Sequence, residues 1–166
     1  SSTATIIHRL YSGNTVPIIG QTTGWYQIKL SDGRVGYVSS TYIKLNAPTK
    51  EQKINIVIST AKSLLGTPYV WGGESLAEGG FDCSGFTQYV YKQAGYTLNR
   101  NSADQATQGI AVERTSLQPG DLVFYSLAGD GRISHVGIYI GDGKMIHSPK
   151  TGDVVKVTDI TTSYWQ

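Results

Sequence analysis

The sequence predicts an α+β protein made of two domains, a small all-β domain at residues 1–46 and a mixed domain at residues 47–166. Three observations support this fold class. Short apolar segments separated by turns fill the first 45 residues, segments with helical periodicity follow, and from Val112 onward the pattern is mostly that of strands. With 39% hydrophobic and 16% charged residues, the composition is that of a globular protein with a real core.

The first domain is predicted from four short strands, at residues 6–7, 16–19, 25–29 and 35–38. Asp32-Gly33 lies between the last two strands, and an Asp-Gly pair supplies the positive φ angles that a tight hairpin turn requires. Short strands joined by tight turns are typical of a small β-barrel. We therefore expect a barrel that ends at the linker before the second domain.

Two helices of the second domain are predicted from their caps. Thr49 and Gln52 have the spacing of a capping box, and apolar residues then recur at helical spacing until Gly66. Ser102 and Gln105 have the same spacing and predict a short helix with Ser102 as its cap. One face of the longer helix is expected to be buried.

Cys83 is the only cysteine, which excludes an internal disulfide. It lies where a glycine-rich loop gives way to a helical pattern that Gly95 ends. In the first turn of a helix, unpaired backbone N–H groups and the positive end of the helix dipole favour the thiolate, which is the nucleophilic form. The sequence therefore indicates a reactive cysteine. The alternative is that Cys83 is a small buried apolar residue, as free cysteines often are.

Two of the three histidines, His135 and His147, lie in strands joined by the glycine-rich turn 141–143. With a two-residue turn, the histidines fall on opposite faces of the sheet. With a three-residue turn, Ile138 pairs with Ile146 and the histidines share a face. The second register also gathers the apolar side chains on the other face, so we predict the three-residue turn.

A cysteine at a helix start and two histidines on adjacent strands can form a nucleophile, a base and an orienting group. Cys83, His135 and His147 are thus the candidate catalytic residues. Each histidine alone is more often a structural residue than a catalyst, but together with a reactive cysteine the two histidines favour catalysis. Zinc is the competing use of cysteine and histidine, but these residues lack the close local spacing of a zinc site. We therefore predict no metal and no cofactor.

Charge and hydropathy exclude several partners. The net charge is +2 and no run of Lys and Arg is present, so we expect no nucleic-acid partner. No apolar stretch approaches the ~20 residues of a transmembrane helix, and residues 1–4 lack the pattern of an export signal. Any export signal is expected to have been removed or to lie upstream. The oligomeric state is left open, with a monomer as the expectation.

The first domain resembles a bacterial SH3 domain. The resemblance rests on Gly24-Trp25-Tyr26-Gln27-Ile28 and on Gly36-Tyr37-Val38-Ser39-Ser40-Thr41-Tyr42-Ile43, which match the end of that family's signature. The strand and loop that usually open the family are absent here, so this copy is expected to be partial. The resemblance implies either binding to cell wall material or a barrel that only braces its neighbour.

The second domain resembles the NlpC/P60 cysteine peptidases. The resemblance rests on five segments in the family's order: residues 67–73 (TPYVWGG), 81–86 (FDCSGF), 119–124 (PGDLVF), 135–141 (HVGIYIG) and 145–147 (MIH). It implies a papain-like α+β fold and hydrolysis of peptidoglycan stem peptides, commonly between γ-D-glutamate and the third-position diamino acid. It also implies action outside the cell or in the cell wall.

The same resemblance assigns roles to individual residues. It implies that Cys83 is the nucleophile, His135 the general base and His147 the third, orienting member. Residues implied to contact the stem peptide are Tyr69, Asp82, Ser84 and Ser102. Asn101 stands where the family often has Asp. Judged on its chemistry alone, Asp82 could hold a substrate ammonium group or simply cap its helix.

Two other functions remain open at this level. The same triad could serve an N-acetylmuramoyl-L-alanine amidase, which cuts between the sugar and the stem peptide. The chain could also be an inactive module that binds the wall. Product masses distinguish the first alternative from an endopeptidase, and the absence of released fragments identifies the second.

Overall fold

A computed structural model describes residues 5–165. Residues 1–4, in which the sequence shows no export signal, and Gln166 lie outside the described residues. The chain divides into two compact units between Ala47 and Pro48. We keep residues 1–46 and 47–166 as the proposed limits of the two domains and describe each unit by itself.

The first unit contains an antiparallel sheet of three strands in the order β1-β2-β3. The strands are β1 (Ile18–Thr22), β2 (Trp25–Lys29) and β3 (Val35–Ser39), and Ser40–Tyr42 forms a 3₁₀ turn after them. Gly33 has a φ of 87° in the turn between β2 and β3, as the Asp-Gly pair predicts. The predicted hairpin is therefore confirmed.

Two of the predicted strands in this unit need correction. Residues 6–7 form no strand, because the carbonyl of Ile7 accepts a hydrogen bond from the Arg34 side chain rather than from a neighbouring strand. The strand predicted at residues 16–19 begins only at Ile18. Pro17 precedes it and has no N–H group to donate to a ladder. Its carbonyl still accepts from the Lys29 N–H at 3.1 Å.

The second unit mixes helices with two small sheets. Its helices are α1 (Lys50–Ser63), α2 (Cys83–Gln93) and α3 (Ser102–Gln105), and its strands are β4 (Glu74–Ser75), β5 (Gly80–Phe81), β6 (Leu122–Tyr125), β7 (His135–Gly141), β8 (Lys144–His147) and β9 (Lys156–Asp159). Short 3₁₀ turns lie at Leu76–Glu78, Arg114–Ser116 and Ser163–Trp165. The part after Val112 holds less strand than predicted, because long loops separate its four strands.

The capping box at the start of α1 is confirmed. The Thr49 side chain accepts from the Gln52 N–H at 3.2 Å, and the Gln52 side chain accepts from the Thr49 N–H at 2.8 Å. The capping box predicted at Ser102 is wrong, because α3 begins at Ser102 and Asn101 occupies the cap position. The Gln105 side chain is fully buried and bonds to the core instead of reaching back to the helix start.

Strands β6 to β9 form an antiparallel sheet in the order β6-β7-β8-β9. The turn between β7 and β8 has two residues, since Gly141 pairs with Lys144, and the predicted three-residue turn is wrong. A shift of register between Tyr139 and Gly141 takes up the extra residue. Ile138 therefore still faces Ile146, as predicted, and the histidines share a face.

The sheet has a different core on each face. Helices α1 and α2 cover the first face with a buried cluster that contains Val57, Ala61, Leu64, Phe81, Phe86, Val90, Ala94, Ile138, Ile146 and Val155. A smaller cluster contains Val123, Met145, Ile160 and Trp165. Trp165 packs against both histidine rings, so this cluster lies on the histidine side of the sheet. Among residues 5–165, no helix has the length and apolar character needed to cross a membrane.

Candidate active site

Cys83 is the first residue of α2, and the backbone before it is held tightly against that helix. The Asp82 side chain caps the helix by accepting from the Gly85 N–H at 2.7 Å. A Cβ atom on residue 85 would lie 2.1 Å from the Gly73 carbonyl oxygen. Only glycine therefore fits at residue 85, and the loop that contains Gly73 packs directly on the first turn of α2.

The thiol of Cys83 is partly buried and lies against β7. Burial raises the pKa of Cys83, and the carboxylate of Asp82 raises it further. Three backbone N–H groups near the sulfur lower this pKa, but not enough to reverse the shift; they belong to Val136, Ser84 and Cys83. The N–H groups at the helix start favour the thiolate, as expected, but desolvation and the Asp82 carboxylate outweigh them, so the pKa of Cys83 is raised. The resting thiol needs a base to remove its proton.

His135 and His147 form a hydrogen-bonded pair on β7, the strand against which the thiol lies, and its neighbour β8. His135 directly precedes Val136, whose backbone N–H acts on the sulfur. Nε2 of His135 lies 2.7 Å from Nδ1 of His147. Only 2% of His135 and 1% of His147 is exposed, and the Trp165 ring packs against both at centroid distances of 5.8 and 5.5 Å. The two rings are thus held in one orientation.

Burial keeps both histidines uncharged at neutral pH. It lowers the pKa of His135 to about 4. Burial also lowers the pKa of His147 to about 3, with smaller contributions from the charges of His135 and Lys156. A neutral imidazole has one free nitrogen lone pair and can accept a proton. His135 is therefore in the form that a general base requires.

We expect these histidines to make the folded protein less stable in mild acid. Their pKa values lie below the ordinary value of 6.5, so the unfolded chain binds more protons as the pH falls from 6.5 towards 4. Each histidine should then remove about 1.4 kcal/mol of stability per pH unit in this window. Above pH 6.5 their contribution is constant. Urea unfolding between pH 4.5 and 7.5 measures the slope.

The double variant His135→Asn, His147→Asn is the matched test of this slope. It should flatten the dependence of the unfolding free energy on pH, whereas His8→Asn, which changes an exposed histidine of the first unit, should leave it unchanged. The burial argument is contradicted if the double variant retains the full slope.

The carboxylate of Asp82 is also the centre of a polar cluster beside the cysteine. Arg100 donates to both of its oxygens, at 3.0 and 2.7 Å, and the Gly72 N–H donates at 3.2 Å. The Ser84 hydroxyl donates to Asp82 at 3.3 Å and accepts from Arg100 at 3.0 Å. Arg100 pairs with Glu74 as well, at 2.9 Å. Asp82 therefore acts as a helix cap whose charge is balanced by Arg100.

The other residues implied to contact substrate lie at different distances from this cluster. Tyr69 is partly buried. Burial raises the pKa of its phenol, and the charges of Cys83 and Asp82 raise this pKa further, as expected for a tyrosine near the thiol. Ser84 lies inside the polar cluster. Ser102 is nearly buried at the start of α3, the helix whose Gln105 bonds to the Ser84 carbonyl at 3.0 Å. Their contacts with substrate stay predictions.

Three residues near the site were missed by the sequence reasoning: Arg100, Thr158 and Trp165. Arg100 directly precedes Asn101 and Ser102, a candidate for substrate contact, so its position in the sequence could have indicated a place near the site. Thr158 belongs to β9, whose β-branched residues were the signal for a strand. No local pattern places Trp165 against the histidines. Within residues 5–165, no group of three or more His, Cys, Asp or Glu residues could hold a metal ion.

Comparison with known families agrees with this arrangement. Residues 66–166 match the NlpC/P60 family. The chain belongs to the NlpC/P60 family. The match contains the cysteine, both buried histidines and the sheet that joins them. Residues 1–44 match the bacterial SH3 domain family, so the NlpC/P60 part follows a domain of that kind, as the resemblance predicted.

Several relatives of this NlpC/P60 chain are named as wall enzymes. A γ-D-glutamyl-L-lysine dipeptidyl-peptidase of Bacillus cereus is 37% identical over 151 residues, which cover 89% of this chain and 45% of the relative. The murein DD-endopeptidase MepH of Escherichia coli is 34% identical over 131 residues, which cover 77% and 48%. The crystal structure of an NlpC/P60 family protein from Bacillus cereus has a TM-score of 0.65 at 36% identity and covers 90% of this chain and 50% of that one. The chain thus spans about half the length of these two curated relatives.

Proposed function

We propose that this chain is a cysteine endopeptidase that hydrolyses peptidoglycan stem peptides between γ-D-glutamate and the diamino acid. Cys83 is the nucleophile, His135 the general base and His147 the orienting third member. One observation carries the proposal: the thiol at the start of α2 lies against the Val136 N–H, and the preceding residue, His135, belongs to a buried, uncharged and hydrogen-bonded histidine pair.

The first half of the reaction follows from the protonation states of these groups. His135 takes the proton of the Cys83 thiol as the sulfur attacks the γ-glutamyl carbonyl. Negative charge develops on the carbonyl oxygen, and the backbone N–H groups at the start of α2 are the donors available to stabilise it. His135 then gives its proton to the leaving amine of the diamino acid. The γ-glutamyl part remains bound to Cys83 as a thioester.

The second half of the reaction releases this acyl group with water. His135 removes a proton from the water as its oxygen attacks the thioester carbonyl, and the Cys83 sulfur leaves and recovers a proton. Throughout, His147 holds the His135 ring through the 2.7 Å contact between Nε2 and Nδ1. Buried rings with little freedom to rotate favour such repeated proton transfer, because no reorientation is needed between the two halves.

The polar cluster beside Cys83, together with Tyr69 and Ser102, is the proposed binding surface for the stem peptide. Tyr69, Ser84 and Ser102 supply hydroxyl groups, and Asp82 supplies charge. Both oxygens of Asp82 already accept bonds from Arg100, so an ammonium group would meet a carboxylate whose charge is largely balanced. We therefore expect Asp82 to contribute more as a helix cap than as an ammonium site.

The names of the relatives support the choice of bond and place. The dipeptidyl-peptidase of Bacillus cereus is named for the γ-D-glutamyl-L-lysine bond. We propose the same bond for this chain, and action outside the cell or in the cell wall. The first unit, which matches bacterial SH3 domains, is proposed either to bind wall material or to brace the catalytic unit. Deleting residues 1–46 and measuring retention on purified wall sacculi separates these two roles.

The bond is tested by digesting defined free stem peptides and, separately, sugar-linked muropeptides and weighing the products. With L-Ala-γ-D-Glu-L-Lys stems and their diaminopimelate counterparts, we expect the dipeptide L-Ala-γ-D-Glu and the free diamino acid or its D-Ala extension. Cys83→Ala should release nothing while keeping the circular dichroism spectrum of the parent. Cleavage by the Cys83→Ala variant would show that Cys83 is not the nucleophile.

Other products would show that the enzyme cleaves a different bond or none. An intact stem peptide and a sugar with a free lactyl group identify an amidase. Conversion of a cross-linked dimer into two monomeric stems, with no cut after γ-D-glutamate, identifies the DD-endopeptidase activity after which MepH is named. Retention on purified wall sacculi without any fragment identifies a binding module.

A further inference from the structure

The hydrogen bonds of the histidine pair continue to a third side chain. Nε2 of His147 lies 2.9 Å from the hydroxyl oxygen of Thr158, a partly buried residue of β9. Strand β9 pairs with β8 along its length, so the strand ladder fixes the position of Thr158 relative to His147. The chain of contacts therefore runs from His135 through His147 to Thr158.

Protonation of His135 during the reaction determines which nitrogen donates and which accepts in these hydrogen bonds. Nε2 of His135 is engaged with His147, so Nδ1 is the nitrogen left for the proton of the thiol. Once protonated, His135 carries hydrogen on both nitrogens and can only donate to His147. His147 must then accept at Nδ1, and a neutral imidazole that accepts at Nδ1 carries its hydrogen on Nε2.

That hydrogen needs an acceptor, because His147 is 1% exposed and water has little access to the ring. The Thr158 hydroxyl is the acceptor within reach of Nε2. If Thr158 instead donated to Nε2 of His147, then His147 would carry its hydrogen on Nδ1. This N–H group would face the Nε2–H group of protonated His135, and two donors cannot form a hydrogen bond. We propose that Thr158 is a positioning residue that accepts from His147 Nε2–H and so holds the tautomer in which His135 can take up the thiol proton.

This inference rests on the proposed function for its effect on catalysis, but the tautomer itself can be observed without substrate. Long-range ¹H–¹⁵N spectra of ¹⁵N-labelled protein distinguish Nε2–H from Nδ1–H imidazoles. At pH 7 the His147 ring of the parent protein should show the Nε2–H form. An Nδ1–H form in the parent protein would overturn the proposal without any variant.

Thr158→Val tests the hydroxyl because it keeps the shape of the side chain. We expect His147 to lose its single tautomer, with kcat on the muropeptide down about 10-fold or more and KM little changed, since a buried donor is left unpaired. Thr158→Ser should restore both readouts. Thr22→Val makes the same replacement on an exposed strand residue of the first unit and should change neither.

The outcomes separate this proposal from the proposed function. Unchanged His147 spectra in Thr158→Val would overturn the role of Thr158, whatever the activity of the protein. Altered spectra in a protein that cleaves no stem peptide would support the role of Thr158 and reject the endopeptidase. Failure of Thr158→Ser to restore the tautomer would assign the effect to packing and overturn the proposal as well.

Discussion

Replacing His135 by asparagine is expected to reduce kcat on stem peptides by about 100- to 10,000-fold, the range that a general base contributes. The Cys83 thiol has a raised pKa, so at neutral pH its proton must be removed during the attack. Asparagine keeps a similar polar contact to His147 but has no nitrogen that can accept a proton. The rate is read from the release of L-Ala-γ-D-Glu by mass spectrometry.

The matched control for this variant is His8→Asn, which changes an exposed histidine in the first unit. We expect it to retain the activity of the parent protein. Circular dichroism should show that both variants are folded. A His135→Asn protein that keeps more than about a tenth of the parent activity would be at odds with general-base catalysis by this residue.

Replacing Gly85 by alanine is expected to destabilise the active-site unit by about 3 kcal/mol or more, at the upper end of the cost of overpacking. The added Cβ would lie 2.1 Å from the Gly73 carbonyl oxygen and 3.1 Å from Asp82 Oδ1. The first contact is with backbone, which cannot rotate away. The loop or the start of α2 must therefore move, and with it the helix cap and Cys83. Urea unfolding measures the loss of stability.

Lys92→Ala is the matched control, because Lys92 is exposed near the other end of α2. An exposed helical substitution of this kind should change the unfolding free energy by less than about 0.5 kcal/mol. Hydrogen exchange of the Gly85 variant should show faster exchange for the amides around residues 72–86. Parent-like stability and exchange in Gly85→Ala would mean that the tight approach of the loop to α2 is not required.

The parts of the site that sequence predicted are those marked by strong local signals. Cys83 was placed at a helix start because a glycine-rich loop precedes a helical pattern there, and α2 does begin at Cys83. The histidines were placed on one face because that register buries the apolar side chains of both strands, and their 2.7 Å contact confirms it.

The parts that sequence missed depend on contacts between distant segments. A bulge after Tyr139 combines a two-residue turn with the predicted pairing of Ile138 and Ile146. A three-residue turn without a bulge would give the same pairing, so the pattern of apolar residues does not distinguish the two turns. Gln105 has the spacing of a capping residue, but burial against Thr87 outweighs that local preference. The pKa of Cys83 is raised by burial and by the charge of Asp82. A prediction from the helix dipole alone takes neither effect into account.

Alkylation of Cys83 by iodoacetamide as a function of pH is the most direct test of the claim that Cys83 and His135 act together. In the parent protein we expect alkylation at neutral pH, assisted by His135, with a fall in rate only as the pH approaches about 4, where His135 becomes protonated. In His135→Asn the rate should rise only at alkaline pH, where the thiol ionises without help. Superimposable pH profiles for the two proteins would contradict the account.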